Sequence, residues 1–508
     1  MKSSSKPLRS VLSWGIVLLL LGSIFPGGPV AAEETRQRIE AIIHLDSTYS
    51  FEGKVTLAEI VERAKARGID AVIFTDDALI KASYGLYPLR RLLRVTVQKQ
   101  SVFKTGLGRY LREIEALGRN HPDLLLFPGL EVSPFHYWEA SPLTGRGVIR
   151  DWGKHLLVFG LDEQGFRSLP LVGNRPIPSK PFQSRDLFRL WGAVIIVFGI
   201  FCLRKRAFDY RDEMGRALGP HSPLFLRIGW ALIFIGSVSL IENYPYREPA
   251  FSIYRGEERV LPYQILIDYV QKKGGFAFWA HPEGVKIPKR VGPATLRTDP
   301  YPEMLIQTEG YTGYAIFYEG FKTIGSVGGI WDQLLLAYCQ GKREHPVWAI
   351  GELEYREEGL LGTWIDTVKN VVFAETKSKE AFLRALREGR SVTVRRSREA
   401  EVVLGHFWVE DSERGRRAQL GETLLLEGVP RIRIGLSEEG KVPAVHIRLI
   451  RDGKVLQEWQ RSLPMEAIYE DVDFEGGCSF YRLEVLADDN LHKLVTNPIF
   501  VSRRKEMP

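Results

Sequence analysis

Apolar runs in this chain alternate with amphipathic ones. Ala41–His44 and Asp70–Thr75 are short apolar stretches, and the second is compact enough for a strand buried on both faces. Between them, Leu57, Ile60, Val61 and Ala64 fall on one helical face. Thr56 with Glu59 three residues on forms a capping signature, and Gly68 ends the helix. The same alternation predicts helices over 108–119, 261–273, 330–340 and 379–388. It predicts strands over 124–127, 156–159 and 276–280. Such βα alternation implies an α/β fold with a parallel sheet or barrel. After about Arg396 the pattern changes to short β-rich runs, with Asp452-Gly453 as a hairpin signal. Residues 397–508 therefore read as an all-β sandwich.

Three further runs are too apolar for a surface helix. Val11–Phe25 follows Lys2, Lys6 and Arg9 and precedes the small residues Val30-Ala31-Ala32, so residues 1–32 read as an export signal or N-terminal anchor. Leu187–Leu203 and Leu224–Ile241 each approach the ~20 residues that cross a bilayer. The loop 204–223 between them carries Arg204, Lys205, Arg206, Arg211 and Arg216, which favours the cytoplasmic side. Residues 187–241 then form a transmembrane hairpin with the bilayer as partner. Residues 41–186 and 242–396, the two parts of the α/β domain, face the periplasm or cell exterior with the sandwich.

The net charge of +7 is spread along 508 residues without a basic block, which argues against nucleic acid as a partner. Cys202, Cys339 and Cys478 form neither a close pair nor a metal spacing and predict no disulfide framework. Asp299, Glu309 and Asp332 read as solvated. Trp138, Trp152 and Trp279 read as packing residues, and His136 is near enough in sequence to Glu131 to reach the same site.

The chemistry lies where the apolar runs stop. His44-Leu45-Asp46 sets two ligand-type side chains on one face of a strand. Asp76-Asp77, Glu131, His155 and His281 each sit at another strand end. Adjacent buried acids need a cation or water, and imidazole with carboxylate is a metal-binding set.

The order of these motifs resembles the polymerase-and-histidinol-phosphatase (PHP) family of metallohydrolases. His44-Leu45-Asp46-Ser47, with Asp46 in the second His place, stands where that family has His-x-His. Leu57–Gly68 and Ile69–Asp76 are similar to the family's next helix and strand, and Asp77 takes a His place. Pro128–Ser133 resembles the bridging acidic motif, and His155 and Gly275–Pro282 also match. The last motif, Gly-x-Ser-Asp-x-His, falls on Gly351–Arg356, with Glu354 for Asp and Arg356 for His. Ala385–Arg390 and Thr496–Val501 resemble a branch with a C-terminal β-sandwich.

The resemblance implies a distorted (β/α)7 barrel interrupted by the membrane hairpin. It implies metal ligands at His44, Asp46, Asp77, Glu131, His155, His281 and Glu354, with Asp76 and Arg356 in catalytic places. The family binds up to three divalent ions, often Mn, Zn or Fe. Because Arg356 cannot ligate, one or two are expected here. The implied activity is hydrolysis of a small anionic phosphoester or related ester. The alternative is a catalytically degenerate member that binds a ligand or partner.

Overall fold

A computed structural model of the chain describes residues 36–503 apart from 145, 175–178, 206–211, 215–220, 245, 255, 258–259, 318 and 361–362. The export signal expected over 1–32 and much of the basic loop lie outside the described residues.

The first strand, β1 (Gln37–Ile43), leads to helix α1 (Leu57–Ala66). The Thr56 hydroxyl accepts from the Glu59 amide while the Glu59 carboxylate accepts from Thr56, so the capping box forms as expected. Strand β2 (Ala71–Asp77), helix α2 (Leu107–Asn120) and strand β3 (Leu125–Val132) repeat the unit. Strand β4 (Leu156–Phe159) precedes two long apolar helices, α3 (Trp191–Arg204) and α4 (Pro223–Asn243). Helix α5 (Leu261–Lys272), β5 (Phe276–Trp279), β6 (Gly313–Phe317), α6 (Ile330–Cys339) and β7 (Trp348–Gly351) complete the series.

Strands β1 to β7 are neighbours in chain order within one large sheet. Both faces are apolar. Ile42, Val72, Leu126 and Val158 pack outward against the helices, while Ile43, Ile73, Phe159 and Ile350 line the other face. The sheet is mixed rather than parallel: β4 runs antiparallel to both β3 and β5. The connection from β3 to β4, residues 133–155, holds two short strands and, among the described residues, no crossover helix of the kind a parallel neighbour needs. The reversal matters, because it brings the start of β4 to the edge where the other strands end.

The ends of this run meet. Beyond β7, Leu353 donates to the Ile43 carbonyl at 3.3 Å, Tyr355 to that of His44 at 3.1 Å, and Asp46 to that of Tyr355 at 2.8 Å. No regular ladder joins β7 to β1 among the described residues, so strand pairing does not establish the expected closed barrel.

Strand β8 (Val368–Ala374), helix α7 (Lys379–Arg387) and strand β9 (Ser391–Arg395) follow. Asn370 on β8 links to β7 through its side chain, accepting from Gly351 at 2.7 Å and donating back at 2.8 Å. The C-terminal region is β-rich as expected: β10 (Glu401–Asp411), β11 (Pro430–Glu439), β12 (Val445–Arg451), β13 (Lys454–Arg461), β14 (Met465–Glu470), β15 (Gly477–Ala487) and β16 (Lys493–Thr496). The main sheet continues into it, since β9 pairs with β16. Asp452 and Gly453 form the β12–β13 turn with φ of 52° and 76°, as a two-residue hairpin requires.

Two expectations fail where α6 meets the C-terminal strands. Cys339 and Cys478 form a disulfide across 139 residues, a proximity that exists only in the folded chain. Asp332 is fully buried and paired with Arg482, because it shares the packed face of α6 with Trp331 and Leu335.

Helices α3 and α4 are long and apolar enough to cross a membrane once the short turn at Ser184–Leu190 is counted with α3. They are not buried core helices: Val194 and Phe234 are each 70% exposed. Glycines bring the two helices together. A Cβ at Gly236 would lie 2.6 Å from the Gly192 carbonyl oxygen, and one at Gly199 would lie 2.9 Å from that of Gly229. Small residues allow helix backbones to approach this closely. Gly236→Val is expected to separate the helices and lower the melting temperature of the detergent-solubilised chain. An unchanged melting temperature would refute the close packing.

Candidate metal centre

The ends of β1, β2, β3, β5 and β7 and the start of β4 deliver side chains to one place. His44 leaves β1 with φ of 71°, and His281 follows β5 with φ of 30°. These backbone conformations are rare for residues with a side chain and cluster at functional sites. Glu131 lies on β3, and His155 precedes the reversed β4. Glu352 stands directly after β7.

The His44 Nδ1 atom is 2.7 Å from Glu352 Oε2, and its Nε2 atom is 3.4 Å from Glu131 Oε1. His155 Nδ1 sits against the same Glu131 oxygen. His281 Nε2 is 3.8 Å from it, and the His281 amide donates to Glu352 Oε1 at 2.5 Å. His44, His281 and Glu352 offer one convergent donor set. Glu131, His155 and His281 offer another, and His44, Asp46 and Glu131 a third. Glu131 thus has the position of a bridging carboxylate.

The electrostatics suit a cation. Burial works against charge on Glu131, but His155 and His44 outweigh it and hold the carboxyl well below its usual range. Burial opposes charge on His44 as well, yet Glu131 and Glu352 keep its pKa well above that of a free imidazole. Glu352, despite burial, is held down to about 2 by His281 and His44. Asp46 goes the other way, pushed up to about 7 by burial and by Glu131. Burial and then Asp46 and Glu131 raise Asp77 well above the carboxylate range. Such crowding is what a positive ion relieves.

The donor set fits a divalent ion. His44 Nε2, Glu131 Oε1, His155 Nδ1 and His281 Nδ1 are buried and face one another as ion pairs without a well-formed hydrogen bond among the described residues. Buried polar atoms are rarely left so, and a mixed imidazole–carboxylate set suits Mn, Zn or Fe.

The other sequence candidates lie around this core. Asp76 is fully buried and accepts from the Ser47 amide at 2.7 Å and from the Ser47 and Ser50 hydroxyls, each at 2.9 Å. Burial raises its pKa to about 6 against those bonds. Ser50 Oγ also lies 2.8 Å from Asp46 and accepts from the Asp77 amide at 2.8 Å; its single proton serves Asp76 or Asp46 in turn, so Ser50 links Asp76 to the two neighbouring acids. Arg356 is clamped by three carboxylates: Glu52, Glu354 at 2.5 Å and Asp46 at 3.5 Å. Glu354, with φ of 50°, faces Arg356, whereas Glu352 faces the histidines.

Sequence reasoning passed over Glu352 and Lys286. Glu352 carried the signal used for the others, a carboxylate where an apolar strand stops, but the motif alignment drew attention to Glu354. Lys286 lies in an irregular loop and sets its Nζ 2.9 Å from His281 Nε2.

No family model matches the chain, and neither does any curated protein. Among solved structures, the chain is similar to a two-domain protein containing a predicted PHP-like metal-dependent phosphoesterase from Bacteroides vulgatus. Identity is 12% and the TM-score 0.34, over 92% of this chain and 96% of that one.

A cavity of about 580 Å³ opens beside the cluster. Asp46, Asp77, Glu131, His155 and Arg356 form its polar end, with Trp138 and Trp152 in the wall. Trp279, in contrast, is buried in the core. His136 does not line the cavity. It packs on Trp152 with ring centroids 4.9 Å apart, and burial alone pushes its pKa down to about 4. The folded chain therefore holds His136 neutral at pH values where the unfolded chain protonates it. Its contribution to stability is complete above about pH 6.5 and falls by up to about 3 kcal/mol as pH drops to about 4. Urea midpoints of the wild type and His136→Phe measured across that range should diverge on the acid side. Parallel pH curves would rule this out.

Proposed function

We propose that the chain is a membrane-tethered, exported metal-dependent hydrolase of the PHP type, acting on a phosphoester or related ester. The observation that carries this reading is the convergence of His44, Glu131, His155, His281 and Glu352 at one edge of the sheet, with four buried ligand-type atoms crowded together without a well-formed hydrogen bond. In this reading the β1–β7 run is a distorted (β/α)7 barrel, joined where Leu353–Tyr355 meets Ile43–Asp46. Helices α3 and α4 span the bilayer with their basic loop inside. The Cys339–Cys478 bond supports an oxidising compartment for the body.

His44, Glu131, His155, His281 and Glu352, with Asp46 and Asp77 beside them, would hold one or two divalent ions. An ion held there would supply Lewis acidity toward an ester and a lowered pKa for water. Lys286 and Arg356 place positive charge where an anionic ester would lie. Asp76 orients Ser50 and, through it, Asp46 and Asp77.

The clamping of Arg356 by Glu52, Glu354 and Asp46 favours a second reading, in which the chain is a degenerate binding module. One experiment separates the two. The purified full chain, loaded with Mn, Zn or Fe in turn, is expected to hydrolyse a chromogenic phosphoester, and His281→Ala to abolish that activity. Saturable ligand binding without turnover under any ion would establish the module.

A further inference from the structure

The cavity beside the cluster is larger than a phosphate group needs, and its outer walls are apolar. One wall is a surface hairpin, Lys81–Gly85 paired with Arg94–Gln98. Tyr84 stands opposite Val95 and Ala82 opposite Val97, and all four line the cavity. The facing wall includes Ile149 and Leu296, which are paired in a separate four-stranded sheet. The cavity therefore runs from Asp77 and Glu131 along the hairpin as far as Tyr84 and Val95, one ladder pair short of the residues that lead into its turn.

That turn meets the body-side end of the apolar helix pair. The Arg91 amide donates to the Glu242 carboxylate of α4 at 2.9 Å, and the Arg91 guanidinium lies 5.5 Å from the Tyr244 ring. Around it, Tyr87 is 82% exposed and Leu93 53% exposed, next to Arg90 and Arg94. Aromatic, aliphatic and arginine side chains mixed in this way suit the headgroup boundary of a bilayer. On the other rim, Ile287 is 88% exposed beside Lys286 and Lys289. Lys286 and Lys289 thus flank the polar end, on His281 and Glu52, while an apolar slot leads along the hairpin toward the level at which α4 would enter the membrane.

We infer that the substrate is a lipid drawn from the bilayer itself: an anionic phosphoester head at the metal-ligand cluster, and a hydrocarbon chain between the Lys81–Gln98 hairpin and the Ile149–Leu296 wall. This rests on the phosphoester reading above and names its substrate class. Hydrolysis adds water across the phosphorus–oxygen ester bond. The hydroxyl stays on phosphorus, and the proton goes to the departing lipid alcohol.

The test uses the full chain in phosphatidylcholine nanodiscs with Mn, and measures both binding and turnover of methyl, butyl and octyl phosphate. Octyl phosphate is expected to bind at least about tenfold tighter than butyl phosphate, since each buried methylene adds about fourfold. The partly exposed Val95 and Val97 can each be changed to aspartate without opening the core. V95D and V97D are expected to remove most of that preference, while partition of the probe into the bilayer is common to all three proteins. No chain-length preference, or one that both variants retain, would overturn the lipid assignment, and turnover of methyl phosphate would then leave the hydrolase reading standing. Chain-length-dependent binding that both variants lose, without turnover under Mn, Zn or Fe, would support the lipid site and sink the hydrolase. Phosphatidic acid placed in the same nanodiscs should be consumed. Turnover of octyl phosphate alone would overturn the bilayer source.

Discussion

Glu131→Gln is expected to weaken divalent-ion binding by at least about 100-fold and to remove hydrolysis with it. Among the described residues, Glu131 is the one carboxylate within reach of His44, His155 and His281 together. Glutamine keeps the shape and one carbonyl oxygen but removes the charge that two convergent donor sets share. Loss of a mere supporting partner of a ligand already costs 10- to 100-fold, so loss of a shared ligand sets the upper end as a minimum. Without the carboxylate, the raised pKa of His44 must fall, because Glu131 is the leading force holding it up against burial. The protonation of His44 followed by NMR should therefore shift toward lower pH in the ion-free variant. Mn or Zn titration by calorimetry, with the imidazole resonances followed in parallel, checks both parts. Unchanged ion affinity would remove Glu131 from the centre.

Much of this centre was legible because the ligand positions coincide with the points where buried strands stop. His44, Glu131, His155 and His281 each interrupt or bound an apolar run, and hydrophobic patterning marks such points well. Strand direction left no mark. Leu156–Phe159 reads the same whether β4 runs with its neighbours or against them, and the direction follows from a connection that folds as strands instead of a crossover helix. Glu352 was visible by the strand-end rule and lost to the motif alignment. Lys286 sits in a loop without periodicity, so nothing local ties it to His281. Contacts between α6 and β15 were hidden for a third reason. Cys339 and Cys478 are 139 residues apart, and their approach depends on how the C-terminal strands dock. Asp332 was the exception, since its place between Trp331 and the Leu334-Leu335 pair already set it on the packed face of α6.

That docking carries the largest expected effect on stability. Arg482 on β15 is fully buried, with Nε 2.7 Å and one Nη 2.8 Å from the two oxygens of Asp332 on α6. Asp332→Ala would leave the guanidinium in the interior, with Glu484 at 3.7 Å as its remaining acidic neighbour. Removing one partner of a buried pair typically costs about 3–5 kcal/mol, more than any surface pair on this chain would. The charge itself is not what the interface needs. Replacing both partners by leucine removes the desolvation cost together with the attraction, so the double variant is expected to recover most of the loss. The Cys339–Cys478 bond joins the same helix and strand, so it restrains the separation that Asp332→Ala favours. Denaturant unfolding of the single and double variants, each with the disulfide intact and reduced, should rank the reduced single variant lowest. If Asp332→Ala unfolds with the wild-type midpoint in both redox states, α6 and β15 do not hold the C-terminal strands to the α/β body in this way.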